Sequence, residues 1–478
     1  MTHACPVQSA ARNSPGAKAL ETAAVRWNYS ELEAQIDATA RRWGRLGVQP
    51  GDRIASLCGN EAQSAVGFFA CARVGAVWAP VHARLAPVEQ AALLKRLAPA
   101  RLLDENGADG PWSPTDSEAP AMFSVPRAPP DGTAAILFSS GTTGTPKAVL
   151  LSWRNFDALA DAARRRLGDS PADRFLLSLP LHHVGGLAML YRAMWSRARV
   201  HLEARWDAQA HLSTLADFGA TQVSWVPTQL KRLLGVLSPS TRLSLRVALV
   251  GGGPVPASLL ARADAQGLPA VQTYGLTEAT SQVCTELPAD ATGETAGPPL
   301  EGVEVRVRAA DGNVCPPGEI GEIEIRGPSV SSGYWGEKPR GEAWFATGDL
   351  GALDARGRLH VAARRVDLIV SGGENIYPAE VESVLARHPA VADAVVVPVM
   401  DEEWGQLPVA MVQARPGARV EEALLRAFAR EQLAAFKVPK RCLEVIEVPR
   451  HANGKLNRYA ARAHVERALG VGFLTERT

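Results

Sequence analysis

The sequence has almost no excess charge, no long apolar run and no paired cysteines, and each absence excludes a class of protein. Its 478 residues carry 51 Lys and Arg against 50 Asp and Glu, a net charge of +1. No broad basic field therefore favours nucleic acid or an anionic membrane as a partner. No stretch has the length of a membrane span, and the first residues lack the apolar core of a signal peptide. We expect a cytoplasmic protein without a membrane span.

The six cysteines are scattered, and none forms a CxxC pair. This spacing argues against a zinc knuckle, a thioredoxin-type site and a disulfide framework, and it favours reduced, mostly buried thiols. The chain is 46% hydrophobic and 21% charged, which is typical of globular proteins. At about 150 residues per domain, its length predicts two to four domains.

The apolar pattern predicts an α/β protein with parallel sheets covered on both faces. Short apolar runs that read as buried strands alternate with segments of helical periodicity. The helix beginning near residue 30 is expected to use Ser30 as its N-cap. The predicted strands are 52–57, 134–138, 175–179, 222–226, 245–250 and 270–274, and the predicted helices are 30–46, 61–74, 153–167, 207–218 and 256–266.

The pattern changes in the last third of the chain. Residues 303–309 and 322–327 alternate apolar and charged side chains, which indicates half-exposed antiparallel strands. A smaller unit of strands and helices follows from about residue 367. We therefore predict a large domain over 1–363, a hinge at 364–366 and a small domain over 367–478.

The segment from Ser139 to Lys147, SSGTTGTPK, directly follows a predicted buried strand. Its glycines, hydroxyls and lysine offer N–H, O–H and ammonium donors that suit a polyphosphate. It is not a Walker A loop, because Pro146 precedes the lysine and Ala148 follows it. The alternative is a flexible surface turn.

Other candidate residues also follow strands. In QTYGLTE, Tyr274 could stack on a base and Glu278 could bind Mg²⁺, although Thr277 and Glu278 could equally cap a helix. The glycines that begin at Gly251 would let a flat ligand lie against the backbone, or they form an ordinary turn. Asp349 suits a ribose hydroxyl, but an Asx turn would also explain it.

Six motifs in order resemble those of the acyl-CoA synthetase, adenylation-domain and luciferase superfamily of AMP-binding enzymes. They are SSGTTGTPK, LPLHHVGG, QTYGLTE, TGD, RxxDLIVSGGENIYPAEVE and NGK, and the resemblance extends over about residues 25–465. Segments 177–190 and 371–391 are most similar to the o-succinylbenzoate–CoA ligases of menaquinone biosynthesis. The resemblance implies two αβ sheets plus a β-barrel-like subdomain, followed by a small mobile α+β lid.

The resemblance also implies a two-step reaction with ATP, Mg²⁺ and coenzyme A. A carboxylate would attack the α-phosphate of ATP, and the CoA thiol would then displace AMP from the acyl-AMP. The phosphates, the adenine, the ribose and the CoA arm would each contact one set of residues. These sets are Ser139, Thr142, Thr143, Gly144 and Lys147 for the phosphates; Gly251, Gly252, Gln272, Thr273, Tyr274 and Gly275 for the adenine; Asp349 and Arg364 for the ribose; and Gly372 and Gly373 for the CoA arm.

The same resemblance assigns the catalytic groups. Thr277 would contact the α-phosphate, Glu278 would bind Mg²⁺, and Lys455 would bridge the carboxylate and the α-phosphate. His183 would separate the acyl pocket from the CoA tunnel. A lysine ammonium at that position would offset the negative charge that gathers on pentacoordinate phosphorus.

For the acid, we expect the pocket to use His183, Ser281 and Arg192. Arg192 could pair with the second carboxylate of a dicarboxylic acid, or it could be a helix arginine that reaches solvent. Two departures from the superfamily pattern lie at the hinge, where Ala363 and Val366 replace the Gly and Asp of many relatives. The segment 179–186 has no Asp to bind a substrate ammonium, which argues against an amino acid.

Three functions remain open from the sequence. The first is an ATP-dependent ligase that joins an aromatic acid, best o-succinylbenzoate, to CoA. The second uses a benzoate-type or fatty acid, or loads an aryl acid on a carrier protein. The third is a non-catalytic relative, against which the intact Lys147, Glu278, Asp349 and Lys455 argue. The expected partner is a small carboxylic acid, with a homodimer as the candidate assembly.

Overall fold

The computed structural model describes residues 5–57, 59–103, 128–129, 131–139, 146–238, 241–253, 255–363, 368–450 and 456–470. The chain forms two compact units. The first comprises Met1–Ala83, Leu94–Phe138 and Ala148–Ala363, and the second comprises Arg84–Leu93, Ser139–Lys147 and Arg364–Thr478. Two short segments of the predicted large domain thus group with the second unit. The predicted hinge at 364–366 lies outside the described residues and stays a prediction.

The strands are numbered in chain order. They are β1 Lys18–Glu21, β2 Arg26–Asn28, β3 Arg53–Ser56, β4 Val77–Pro80, β5 Arg101–Leu103, β6 Thr133–Ser139, β7 Lys147–Ser152, β8 Arg174–Leu177, β9 Arg199–Leu202, β10 Gln222–Trp225, β11 Val247–Val250, β12 Ala270–Leu276, β13 Ser281–Thr285, β14 Glu304–Arg308, β15 Gly321–Arg326, β16 Phe345–Leu353, β17 Leu359–Ala363, β18 Ile369–Ser371, β19 Glu374–Ile376, β20 Val391–Asp401, β21 Gly405–Ala414 and β22 Arg441–Val445.

The helices follow the same numbering. They are α1 Pro6–Asn13, α2 Tyr29–Arg45, α3 Ala62–Val74, α4 Pro87–Leu97, α5 Trp153–Leu167, α6 Val184–Trp195, α7 Ala208–Phe218, α8 Pro227–Val236, α9 Ala257–Ala265, α10 Pro378–Leu385, α11 Glu422–Arg430 and α12 Arg458–Leu469, and a 3₁₀ turn covers Thr277–Ala279.

The largest sheet has the strand order β13-β12-β11-β10-β8-β9-β1-β2. Strands β12 to β1 of this order are parallel, and the two edge strands pair antiparallel. All four residues of β11 are buried, as expected for a parallel strand covered on both faces. Because the parallel strands share one direction, their carboxyl ends meet at one edge. The predicted α/β class is confirmed.

Two other sheets complete the first unit, apart from the ends of β6 and β7 that group with the second. One has the order β5-β3-β4-β6-β7, and the other is the antiparallel sheet β14-β15-β16-β17. In the latter, Glu304 pairs with Arg326 across the ladder, which is the half-exposed alternation that the sequence predicted. This sheet corresponds to the predicted barrel-like portion.

The second unit contains the sheet β19-β18-β21-β20, with β22 parallel to β21. The segment 84–93 is held in this unit by charge, because Lys437 Nζ lies 2.7 Å from carboxylate oxygens of both Glu89 and Glu380. Burial works to lower the pKa of Lys437, but the two carboxylates outweigh it and raise that pKa. Burial raises the pKa of Glu380. An ammonium shared by two buried carboxylates ties α4 to α10.

The described cysteines are free thiols, and four of them are buried. Burial raises the pKa of Cys284 well above its usual value, so this thiol is a neutral packing group and not a candidate nucleophile. Within the described ranges, no helix is both long and apolar enough to cross a bilayer.

The start of α2 corrects one sequence prediction. Ser30 was expected to cap this helix, but the cap is Asn28, whose Oδ1 accepts from Glu31 N at 2.8 Å. Glu31 returns the bond by accepting from Asn28 N at 2.8 Å. The sequence pattern missed this capping box because Asn and Ser are about equally good caps and the two residues lie only two positions apart.

We predict that Asn28→Ala lowers the free energy of unfolding by about 1 kcal/mol, because the backbone N–H of Glu31 loses its acceptor. Urea unfolding measures the change. Ser30→Ala is the matched control and should be nearly neutral. Equal losses in the two variants would contradict the assignment of Asn28 as the cap.

Candidate active site

The carboxyl end of β12 carries most of the predicted nucleotide-binding residues. The chain leaves this strand through the 3₁₀ turn and returns along β13, so that Gly275 lies opposite Gln282 and Leu276 opposite Ser281. A Cβ on Gly275 would lie 1.8 Å from Ser281 O, so only glycine fits. Thr280 and Ser281 have φ of 56° and 101°, an uncommon left-handed backbone that marks the turn as strained.

Tyr274 and Asp349, two predicted nucleotide-binding residues, are in direct contact. The Tyr274 hydroxyl donates to Asp349 Oδ2 at 2.7 Å, and both side chains are buried. Asp349 lies on β16, and its backbone N–H donates to Thr347 Oγ1 at 3.1 Å. The bond therefore joins the parallel sheet to the antiparallel sheet at one point. Stacking of Tyr274 on a base stays a prediction.

Glu278 is fixed by the segment that follows β15. Its Oε1 accepts from the Tyr334 hydroxyl at 3.0 Å, and its backbone carbonyl accepts from Ser331 N at 2.7 Å. Tyr334 also forms an antiparallel bridge with Val149, two residues after Lys147 in the chain. The carboxylate is only 6% exposed. Its carboxylate oxygens and the hydroxyl of Tyr334 are the hard oxygen ligands that Mg²⁺ prefers.

The glycines after β11 lie beside β12. A Cβ on Gly251 would lie 2.9 Å from Thr273 O, so the two strand ends approach closely. Gly252 has φ of 78°, which favours glycine. Gln272 and Thr273 are half-buried on the same strand end. The predicted adenine wall, Gly251, Gly252 and Gln272 to Gly275, is thus brought together at one edge of the sheet.

His183 is the N-cap of α6 and belongs to a loop that is held from two sides. Asn60 Nδ2 donates to Leu179 O and Asn60 Oδ1 accepts from Leu181 N, both at 2.9 Å. A Cβ on Gly186 would lie 2.3 Å from Pro180 O, so glycine permits the helix to start directly under the loop. These contacts fix where the His183 backbone lies.

Three imidazoles cluster at this loop, and the sequence analysis missed one of them. The rings of His82 and His182 stack with centroids 4.1 Å apart, and His82 lies edge-on to His183 at 6.1 Å. Asn60 was also missed. Both follow strands of the second sheet, β4 and β3. Their position after a strand was the available signal, but nothing local links them to a loop more than 90 residues away.

The prediction that Arg192 reaches solvent is wrong, and its pairing with a substrate carboxylate stays a prediction. Its side chain is 3% exposed, so it does not reach solvent, and it forms an ion pair with Asp169 at 2.9 Å. Its other N–H groups donate to Gln222 and Gln282 oxygens at 3.1 Å. It also lies nine residues along α6 from His183, which is about 13 Å. The charge expected to bind a substrate carboxylate is already neutralised inside the fold.

The Arg192 network reaches the nucleotide edge through hydrogen bonds. Gln282 Nε2 donates to Thr285 Oγ1, which lies 2.9 Å from Thr273 Oγ1. Thr273 is the residue that contacts Gly251. Arg192 therefore belongs to a buried network that ends at the side chains that hold β12 and β13 together.

In the second unit, the predicted CoA-tunnel glycines form a tight hairpin turn. Gly372 and Gly373 join β18 to β19 and have φ of 60° and 89°, as a type I′ turn requires. A Cβ on Gly372 would lie 2.7 Å from the ring of Trp404. The turn alone explains both glycines, which the sequence analysis did not consider, and their contact with CoA stays a prediction.

The remaining predicted residues are placed as follows. Ser139 ends β6 and Lys147 begins β7, both half-buried, and Ser281 begins β13. Thr277 is half-buried at the start of the 3₁₀ turn. Thr142, Thr143, Gly144, Arg364 and Lys455 lie outside the described residues.

Comparison with protein families decides the assignment. The AMP-binding enzyme family matches residues 7–335, and the AMP-binding enzyme C-terminal domain matches residues 380–455. The chain belongs to the AMP-binding enzyme family. The resemblance that the sequence motifs indicated is confirmed.

Curated relatives in this AMP-binding family are similar to this chain along nearly its whole length. A 2-succinylbenzoate–CoA ligase of Bacillus cereus is 37% identical over 95% of this chain and 96% of the relative. One from Bacillus licheniformis is 35% identical over 96% of this chain and 99% of the relative.

Solved structures of AMP-binding enzymes share the fold. o-Succinylbenzoate CoA synthetase from Bacillus subtilis, bound with its product analogue OSB-NCoA, gives a TM-score of 0.89 at 32% identity over 96% of this chain and 98% of that one. The amide bond synthetase McbA from Marinactinospora thermotolerans gives 0.85 at 28% identity over 96% of this chain and 99% of that one.

We predict that Arg192→Met lowers the free energy of unfolding by about 3–5 kcal/mol, because Asp169 stays buried without its cation. Urea or thermal unfolding measures the loss. Arg165→Met, at an exposed ion pair, is the control and should change stability by less than about 0.5 kcal/mol. A stable Arg192→Met variant with a selectively raised KM for a dicarboxylic acid would restore the substrate role.

Proposed function

We propose that this AMP-binding enzyme is an ATP-dependent o-succinylbenzoate–CoA ligase. The observation that carries the proposal is the 37% identity over 95% of the chain to a 2-succinylbenzoate–CoA ligase. The site supports it, because Gly251, Tyr274, Glu278 and Asp349 lie on adjoining elements of the first unit. The described residues of the site are all compatible with this reaction.

In the first half-reaction, a carboxylate oxygen of the acid attacks the α-phosphorus of ATP. A phosphorus–oxygen bond forms, the bond to the β-phosphate breaks, and pyrophosphate leaves. Asp349 and the adenine wall hold the nucleoside, while Lys147 and the loop before it hold the departing phosphates. Lys455 offsets the charge on the α-phosphate as it becomes pentacoordinate.

In the second half-reaction, the sulfur of coenzyme A attacks the acyl carbon of the acyl-AMP. A carbon–sulfur bond forms, the carbon–oxygen bond to AMP breaks so that AMP leaves, and the thiol proton passes to solvent water. His183, at the end of the loop held by Asn60, lies between the acyl pocket and the thiol path. In the second unit, the hairpin at Gly372 and Gly373 is the proposed contact for the CoA arm.

Glu278 fits a Mg²⁺ site by the chemistry of its donors. Its carboxylate is buried and accepts from the Tyr334 hydroxyl at 3.0 Å, and Thr277 offers a further hydroxyl. Glu278 would hold Mg²⁺ there, and the ion would supply positive charge that offsets the charge of the phosphates. Tyr334 fixes the direction in which the carboxylate presents its oxygens.

The proposal includes the place where the enzyme works. An enzyme that consumes ATP and coenzyme A needs a compartment that supplies both, and on this ground we assign it to the cytoplasm. The small-molecule acid is its substrate partner. A homodimer stays a prediction.

A panel of acids tests the substrate. We expect ATP–pyrophosphate exchange to be fastest with o-succinylbenzoate and to lead to its CoA thioester and AMP. Benzoate and a fatty acid are the comparison acids, and a carrier protein is the comparison acceptor. Exchange with another acid but not with o-succinylbenzoate would falsify the substrate assignment, and no exchange with any acid would revive a non-catalytic role.

The two halves of the reaction can be separated by mutation. Lys455→Ala should abolish acyl-AMP formation, yet thioester formation from supplied acyl-AMP should persist, because only the first half needs a cation at the α-phosphate. Lys338→Ala, an exposed lysine, is the control. Rapid-quench assays of each half measure the split. Equal losses in both halves would mean that Lys455 is structural.

Gly373→Asn should have the opposite effect. Asn tolerates the left-handed backbone of a type I′ turn, so the hairpin survives while a side chain enters the proposed CoA path. We expect slower thioester formation with normal acyl-AMP formation, measured by the same assays. Unchanged CoA turnover would contradict the tunnel assignment.

A further inference from the structure

Three adjacent parallel strands of the first unit begin with a cation. Lys18 begins β1, Arg174 begins β8 and Arg199 begins β9, and the order of these strands is β8-β9-β1. Arg174 and Arg199 are direct register partners in the ladder. Like charges on neighbouring strands repel, so the fold gathers positive charge here against an energetic penalty.

These cations line a cavity of about 320 Å³, together with Arg197 and Asp173. Asp173 does not neutralise them, because its carboxylate is taken by Arg246 Nε at 2.7 Å and by the Thr221 hydroxyl at 2.7 Å. Among the described residues, Lys18, Arg174 and Arg197 form no ion pair. The cavity thus carries about three uncompensated positive charges.

Arg199, which also lines the cavity, is only partly paired. One of its terminal nitrogens contacts Glu21, and its guanidinium lies 4.6 Å from the centre of the Phe218 ring. Its Nε is buried and has no hydrogen-bond partner within the described chain. A buried N–H without an acceptor costs about 1–3 kcal/mol, so the fold keeps Arg199 beside the cavity at an energetic cost.

The backbone of Arg197 is a second, independent sign. It follows the cap of α6 with φ of 57°, a conformation that favours glycine. Helices α5 and α7 end at this conformation with Gly168 and Gly219. An arginine at such a position costs about 1 kcal/mol relative to glycine. Its charge is kept beside the cavity in spite of that cost.

We propose that this cavity is a binding site for a small anion with two or more negatively charged oxygens, either phosphates or carboxylates. The donors are guanidinium and ammonium groups, which match both kinds of oxyanion. The site is separate from the active site, because it lies at the amino ends of β8, β9 and β1. Gly251 and Gly275 lie instead at the carboxyl ends of β11 and β12, which run parallel to those strands in the same sheet. A ligand there binds across the sheet from the nucleotide.

Calorimetric titration with citrate and with inorganic phosphate, at fixed ionic strength, tests the site. The two probes distinguish a carboxylate from a phosphate ligand. Arg174→Gln and Arg197→Gly should each weaken binding of the preferred probe by about tenfold or more. Arg197→Gly should keep or raise the unfolding temperature, because glycine suits the backbone there, so that lost binding is not lost folding.

Arg154→Gln, which removes an exposed cation elsewhere on the first unit, is the control and should leave the affinity unchanged. Saturation with MgATP should also leave it unchanged. No binding of either probe, or equal weakening by the Arg154 control, overturns the proposal. Competition by MgATP also overturns it, because the probe would then occupy the nucleotide site. If the unchanged protein had no ligase activity with o-succinylbenzoate, the proposed function would be contradicted, but the anion-binding measurement would still stand.

Discussion

The hydrogen bond from the Tyr274 hydroxyl to Asp349 is the contact on which the candidate site depends. It joins the carboxyl end of β12 to β16, and thus a parallel sheet to an antiparallel one. The parallel sheet carries the glycine-lined wall and the antiparallel sheet carries Asp349, so this bond brings the two together. Because both side chains are buried, the bond is made in a low-dielectric setting, where it is strong and where its loss leaves an unsatisfied group.

A chain of buried polar groups supports this edge from behind. It runs from Asp169 through Arg192, Gln282 and Thr285 to Thr273, which adjoins the glycine wall. Such a network is costly to bury unless every member has a partner. This network lies next to the strained turn at Thr280 and Ser281. It therefore fits a site whose backbone must be held in one conformation.

The sequence predicted the strands of the parallel sheet because burial on both faces leaves a continuous apolar run, as in β11. It predicted the wall of Gly251 to Gly275 because those residues directly follow such strands. The sequence failed to predict the role of a residue where that role depends on a partner far away in the chain. Arg192 looked like a free cation until Asp169, 23 residues earlier, was found beside it. His82 and Asn60 gave no local sign that they contact the His183 loop.

The ion pair between Glu89 and Lys437 joins two residues that lie far apart in the sequence. The ammonium that neutralises Glu89 is carried by the last quarter of the chain, whereas Glu89 lies on α4 near its beginning. A fragment that starts after residue 363 would therefore keep Lys437 and Glu380 but lose one of the two carboxylates that balance that charge. Exchange of carboxy-terminal lobes between family members would succeed only where the recipient's α4 supplies a matching acid.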